Sequence, residues 1–245
     1  MCPQPLNTIT QNAEIAVSPD ALAQRPVLAA LIAEAIGAWS QTEMTLGILL
    51  ARMLGANARP AMVMYSALES FQPQMRALDA VSRSILVGDD LELFSATLIV
   101  IRRAAHQRHL LGHSVWAFAP QLPHDLLLID PKDMWGWSAT VFEWADAMRT
   151  TPPPRPPMPK AISALDHGKV LVFSEGDLKS IVQRLRRAHG YAGLLSLLIS
   201  RSETIDSTRR LLRNEPEIRS ALDRNRSQTN RFSALPEPRQ TTDVY

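Results

Sequence analysis

Apolar positions recur at helical spacing along most of the chain. Leu28, Ile32, Ala35, Trp39, Leu46, Leu50 and Met53 follow at steps of three, four or seven. That is the stripe of a long amphipathic helix. Pro26 suits its first position and Gly55 its stop, so a helix is predicted over 26–54. Glu43 breaks the stripe, four residues after Trp39 and three before Leu46. A second stripe runs from near Pro60 through Met64, Leu68, Phe71, Met75, Leu78, Val81 and Ile85. Pro73 lies inside it and is expected to kink or split the helix. A third helix is predicted after Gly88-Asp89-Asp90, where two carboxylates suit a helix N-terminus. Leu91, Phe94, Leu98, Ile101, Ala105 and Leu111 form its stripe, and Gly112 is the expected cap.

The pattern then shortens. Val115 to Phe118, Leu126 to Ile129 and Lys169 to Phe173 are brief apolar runs, read as a small antiparallel β ribbon. Between its strands lies a Trp- and Pro-rich insertion at about 131–160. Trp137, Val141, Trp144 and Met148 would share one face of a short helix there, and the run from Thr151 to Pro159 reads as a stiff polyproline-type loop. Ser174, three residues before Asp177, resembles a capping box. It opens a fourth main helix marked by Leu178, Ile181, Leu185, Ala188, Leu195 and Ile199.

The fold class predicted is all-α dominated: four main helices, with the ribbon and insertion between the third and fourth. The domain reading is a loose arm over 1–25, a helical domain over 26–200, and a largely disordered tail over 201–245 with one short amphipathic piece near 205–213.

Composition narrows the function classes. Hydrophobic residues make up 46% of the 245 residues, enough to build a core, so global disorder is excluded. No stretch of 18 residues is free of charge and apolar throughout, so a membrane-spanning helix is not expected. The N-terminal residues lack a secretory pattern, and the expected location is cytoplasmic. Cys2 is the one cysteine, so neither an internal disulfide nor a Cys-based zinc motif is available. Net charge is +2, carried by 22 Arg and four Lys against 24 acidic residues. That balance does not by itself mark a nucleic-acid binder.

Chemistry concentrates in Ala105-His106-Gln107-Arg108-His109-Leu110-Leu111-Gly112-His113-Ser114-Val115-Trp116. Three of the six histidines fall within it, at the end of the third helix. A guanidinium and an imidazole facing one small volume can cleave RNA without a metal. The imidazole exchanges a proton with the 2′-hydroxyl or the leaving 5′-oxygen, and the guanidinium holds the phosphate. The run from Arg108 to His113 resembles the Arg-x4–6-His motif of HEPN (higher eukaryotes and prokaryotes nucleotide-binding) domains, in which a polar residue follows the arginine, as His109 does here.

The resemblance implies a HEPN-like four-helix bundle, metal-independent ribonuclease activity of toxin or defence type, and a homodimer in which two motifs form one site. It implies Arg108 as the phosphate contact, His113 as catalytic acid or base, and His109 as an accessory polar group. Glu43 is the candidate carboxylate for orienting Arg108, with Arg102 and Arg103 as candidate RNA contacts. No cofactor or metal is expected. His109 and His113 have i,i+4 spacing, but Leu110 stands where an HExxH zinc site requires Glu. RNA, a second copy and an antitoxin or other protein are the partners this reading brings. The alternative reading is a non-catalytic helical interaction domain, in which Arg108 and His113 only satisfy helix-end carbonyls.

Overall fold

In a computed structural model, residues 3–10, 13–150, 165–200 and 203–233 are described. Helices dominate and are joined by one small antiparallel sheet, as the apolar periodicity predicts. The helices are α1 (Leu6–Ile9), α2 (Pro26–Met53), α3 (Ala58–Ala67), α4 (Phe71–Ile85), α5 (Gly88–His113), α6 (Pro131–Thr150), α7 (Glu175–Ile199), α8 (Ile205–Asn214) and α9 (Pro216–Ser233). The strands are β1 (Gln4–Pro5), β2 (Ala16–Val17), β3 (Val115–Phe118), β4 (Leu126–Ile129) and β5 (Leu171–Phe173). The chain forms two compact units, residues 1–42 with 104–189 and residues 43–103 with 190–245.

The first unit holds the sheet, ordered β1-β5-β4-β3-β2. Trp116 pairs with Leu128 across β3–β4, and Leu128 with Leu171 across β4–β5. All four residues of β4 are buried, which is why this strand reads as an unbroken apolar run. Leu127 and Ile129 join Leu6, Ala117, Val170 and Val172 in one core cluster. Leu126 and Leu128, on the opposite face by the period of two, are buried as well.

Within the arm expected over 1–25, the described residues carry regular elements. This arm supplies both edge strands, and Leu6, Ala13 and Ala21 are buried. Arg25 ties it down: Nε donates to the Asp125 carbonyl at 2.8 Å, Nη1 to Ala21 at 3.2 Å, and the guanidinium lies 5.1 Å from the Phe118 ring centroid. Two-residue strands are too short to show a period, so sequence pattern alone misses them.

The capping box at α7 forms. Ser174 Oγ accepts from the Asp177 backbone N–H at 3.2 Å, and Asp177 Oδ2 accepts from Ser174 N–H at 3.1 Å and from its hydroxyl at 2.6 Å. No residue of α6 is buried. Trp137, Val141, Trp144 and Met148 do share its half-buried face. The Pro-rich stretch 151–159 lies outside the described residues.

In the second unit Leu46, Leu49, Leu50 and Met53 of α2 are buried, as are Tyr65 of α3, Leu78 of α4, Phe94 and Leu98 of α5 and Leu195 of α7. Gly55 and Gly88 have φ of 58° and 55°, a left-handed conformation that glycine adopts without a Cβ clash. They stop α2 and start α5. The second apolar stripe is split between α3 and α4. Pro73 falls in the first turn of α4, where its missing N–H leaves no helix bond unmade.

The expected tail also differs. Residues 205–214 and 216–233 are helical, with Thr208, Leu212, Ile218 and Ala221 buried. Among the described residues, no helix is long and apolar enough to cross a membrane.

Candidate functional site

The histidine-rich segment is the last two turns of α5, in the first unit. The helix does not stop at Gly112 but runs to His113, and the Ser114 N–H closes a further turn on the Leu110 carbonyl at 3.2 Å. This continuation sets the directions of the side chains. At about 100° per residue, His106, His109 and His113 fall within an arc of roughly 60°, and all three are exposed. The His109 and His113 rings stack, with centroids 4.3 Å apart and planes tilted by 32°.

Arg108 is directed elsewhere. It lies about 140° from His113 around the same helix. It is half-buried, and its Nε is enclosed with no hydrogen-bond partner. The helix therefore brings His109 to His113 and separates Arg108 from His113. The expectation of a guanidinium and imidazole facing one volume assumed that the helix ended at Gly112.

The titration of His109 is shifted down. Burial is the main cause, followed by the charges of His113, His106 and Arg108, while the Asp130 carboxylate pulls the other way. His109 is thus held toward its neutral, proton-accepting form. Asp130 also receives the Lys132 N–H at 2.8 Å and so caps α6. The Trp116 indole donates to the Leu111 carbonyl at 3.3 Å, satisfying one of the carbonyls left open at the end of α5. Asp130 carries no spacing signal toward His109, because it lies beyond β3 and β4 in the chain and acts on the ring through its charge.

Glu43, Arg102 and Arg103 belong to the second unit. Glu43 is half-buried, and its field adds to burial in raising the Tyr65 phenol well above the usual range. Arg102 is half-buried and donates from Nη2 to the Met75 carbonyl at 3.3 Å. That gives it a local structural role in holding α4 against α5. Arg103 is exposed. Among the described residues, no three His, Cys, Asp or Glu side chains converge as a metal-binding group.

Chemically, the end of α5 offers a solvent-reachable pair of imidazoles, one biased toward neutrality, with a guanidinium on the adjoining face. Such a pair can exchange protons with a bound substrate without a metal. Compared with known proteins, the chain matches no protein-family model, no curated protein and no solved structure.

Proposed function

We propose that the exposed end of α5 acts on RNA, as a metal-independent endoribonuclease of HEPN-like type. The observation that carries this reading is the stacked, exposed pair His109–His113. Neutral His109 takes the proton of a ribose 2′-hydroxyl. The 2′-oxygen bonds to phosphorus, the bond to the 5′-oxygen breaks, and His113 protonates that leaving oxygen. The products are a 2′,3′-cyclic phosphate and a 5′-hydroxyl. The HEPN resemblance assigns the phosphate to Arg108, whose half-buried side chain lies about 140° from His113 and would have to turn to reach it. The reading carries with it the HEPN-like four-helix core, with the Trp- and Pro-rich segment as an insertion, and a toxin or defence role with an antitoxin or other protein partner.

The experiment is RNA cleavage in EDTA by wild type, His109→Ala, His113→Ala and Arg108→Ala. Loss of most activity in both histidine variants is expected, since one general acid or base contributes about 10²–10⁴-fold. Full activity in His113→Ala would remove it from the chemistry. A second reading, a non-catalytic interaction domain, draws on the separation of Arg108 from His113 by about 140°. It is favoured if folded protein cleaves no RNA while all four proteins retain the same partner binding.

A further inference from the structure

A cavity of about 470 Å³ opens in the first unit, where α2 and α7 begin beside the turn that enters β4. Arg25 lines it and is only 8% exposed. The Asp125 and Ala21 carbonyls hold its Nε and Nη1, and Phe118 lies against its guanidinium. These partners are neutral, so they fix the group without cancelling its charge. Among the described residues Arg25 forms no ion pair. Its Nη2 bonds to none of them and, unlike Nε of Arg102 and Arg108, is not sealed in by protein. That nitrogen therefore opens on the cavity. A buried charge calls for a counter-charge. Asp125 shares the cavity but does not supply one: burial raises its ionisation, and Arg25 is the last of the charges acting on it, after His124 and Asp177.

The backbone adds to the positive field. Val27 and Leu28 at the start of α2, and Glu175 and Gly176 at the start of α7, all line the cavity. Their N–H groups precede the first helix bonds, which run from Ala29 to Arg25 and from Leu178 to Ser174. The positive ends of two helix dipoles thus border the space that Arg25 enters. The Glu175 carboxylate is engaged by Lys179 at 2.6 Å. At Gly176 a Cβ would meet only Ser174 Oγ, at 3.7 Å, so the backbone there is open to close approach. The volume falls within the range of small-molecule pockets, about 300–1,000 Å³, and exceeds one phosphate group. Pro26, Leu28 and Pro123 supply apolar wall, and Asp125 an acceptor for a hydroxyl.

We propose that this cavity binds a small phosphomonoester, with the phosphate on Arg25 Nη2 and the N–H groups at the starts of α2 and α7, and the organic part between Pro123 and Asp125. The proposal uses none of the residues of the RNA reading. A planar guanidinium fixed through two of its nitrogens suits phosphate oxygens better than a mobile cation does.

NMR of the ¹⁵N-labelled full chain tests it, read at the amides of Val27, Leu28, Glu175 and Gly176. The probes are inorganic phosphate, glycerol 3-phosphate, ribose 5-phosphate, phenyl phosphate, unphosphorylated ribose and a 5′-phosphorylated RNA, at constant ionic strength. Saturable shifts at these amides are expected with phosphate. At least one of the three esters should bind about tenfold tighter than phosphate, and ribose should leave the amides unmoved. Arg25→Gln should weaken binding at least tenfold. Because Arg25 also ties the N-terminal arm, Gly176→Asp is the second variant. It keeps Arg25, places a carboxylate in the first turn of α7, where the dipole favours it, and should weaken binding at least tenfold with the fold retained. Absent or unsaturable shifts with phosphate and all three esters overturn the proposal. So does a Gly176→Asp protein that binds as wild type does, or an ester affinity no better than that of phosphate. Binding of the RNA 5′-phosphate with none of the small esters would assign the cavity to RNA ends and overturn it as well.

Discussion

Burial and the neighbouring charges of His113, His106 and Arg108 hold His109 below its ordinary value of 6.5. A histidine depressed in the folded state binds its proton more readily when unfolded. Its contribution is unchanged above pH 6.5, and stability is lost as pH falls through 6.5 toward the lowered value. His113→Ala removes the largest of the charge effects but leaves burial in place. The midpoint of His109, followed by NMR of its ring protons, is expected to move up without reaching 6.5. An unmoved midpoint would mean that the stacked rings do not interact electrostatically. Tyr65 gives a second test at this scale. It is 4% exposed, its hydroxyl has no hydrogen-bond partner, and burial followed by Glu43 raises its ionisation. An unpaired buried hydroxyl costs about 1–3 kcal/mol. Tyr65→Phe is therefore expected to leave stability unchanged or raise it by about 1 kcal/mol in chemical denaturation. A clear loss would show that the hydroxyl has a partner.

The capping box at α7 is an element whose strength can be read from its residues. Ser174→Ala removes the acceptor of the Asp177 N–H and the donor to Asp177 Oδ2, while Oδ1 of that buried carboxylate is already unpartnered. Loss of about 1–2 kcal/mol is expected from denaturation midpoints, with Ser174→Thr close to wild type. This cap was legible because two side chains three residues apart do the work locally. The same holds for Pro26 at the start of α2, the split of the second stripe between α3 and α4, and the three β runs. The i,i+4 spacing likewise brought His109 to His113. What was not legible depended on distant partners. β1 and β2 are strands only because β5 and β3 lie beside them. The extension of α5 through Gly112 carries no local mark, and with it went the expected convergence of Arg108 and His113. Residues 201–245 looked solvated because nine Arg nearly balance seven acidic residues, yet the carboxylates that bind three of those arginines lie more than a hundred residues away. One local sign of α9 was present in Pro216, which occupies its first position.

Across the whole chain, stability is unevenly supplied, and α8 with α9 is where salt should reveal it. These helices contribute few buried side chains to the second unit: Thr208, Leu212, Ile218 and Ala221. By contrast α2 alone contributes Leu46, Leu49, Leu50, Ala51 and Met53. What the C-terminal pair adds is charge. Arg209 grips Asp90 with two bonds of 2.8 and 2.7 Å, Arg213 meets Asp89 at 2.8 Å, and Arg226 meets Glu92 at 2.9 Å. All three carboxylates stand at the start of α5, where the helix dipole already favours them. Most of these side chains are exposed, so mobile ions screen them. A segment held by few apolar contacts and several exposed ion pairs opens locally at lower cost than the core beside it. Hydrogen exchange is therefore expected to accelerate in α8 and α9 when salt is raised to about 1 M. The amides of Tyr191, Leu195 and Leu198 in α7, buried in the same unit, should remain protected. Arg209→Ala should reproduce the effect at low salt, since it removes an arginine that bonds both Asp90 and Asp206. Equal protection of α8, α9 and α7 at both salt levels would place the hold in Leu212 and Ile218 instead, and the ion pairs would then be ornaments of a surface already packed.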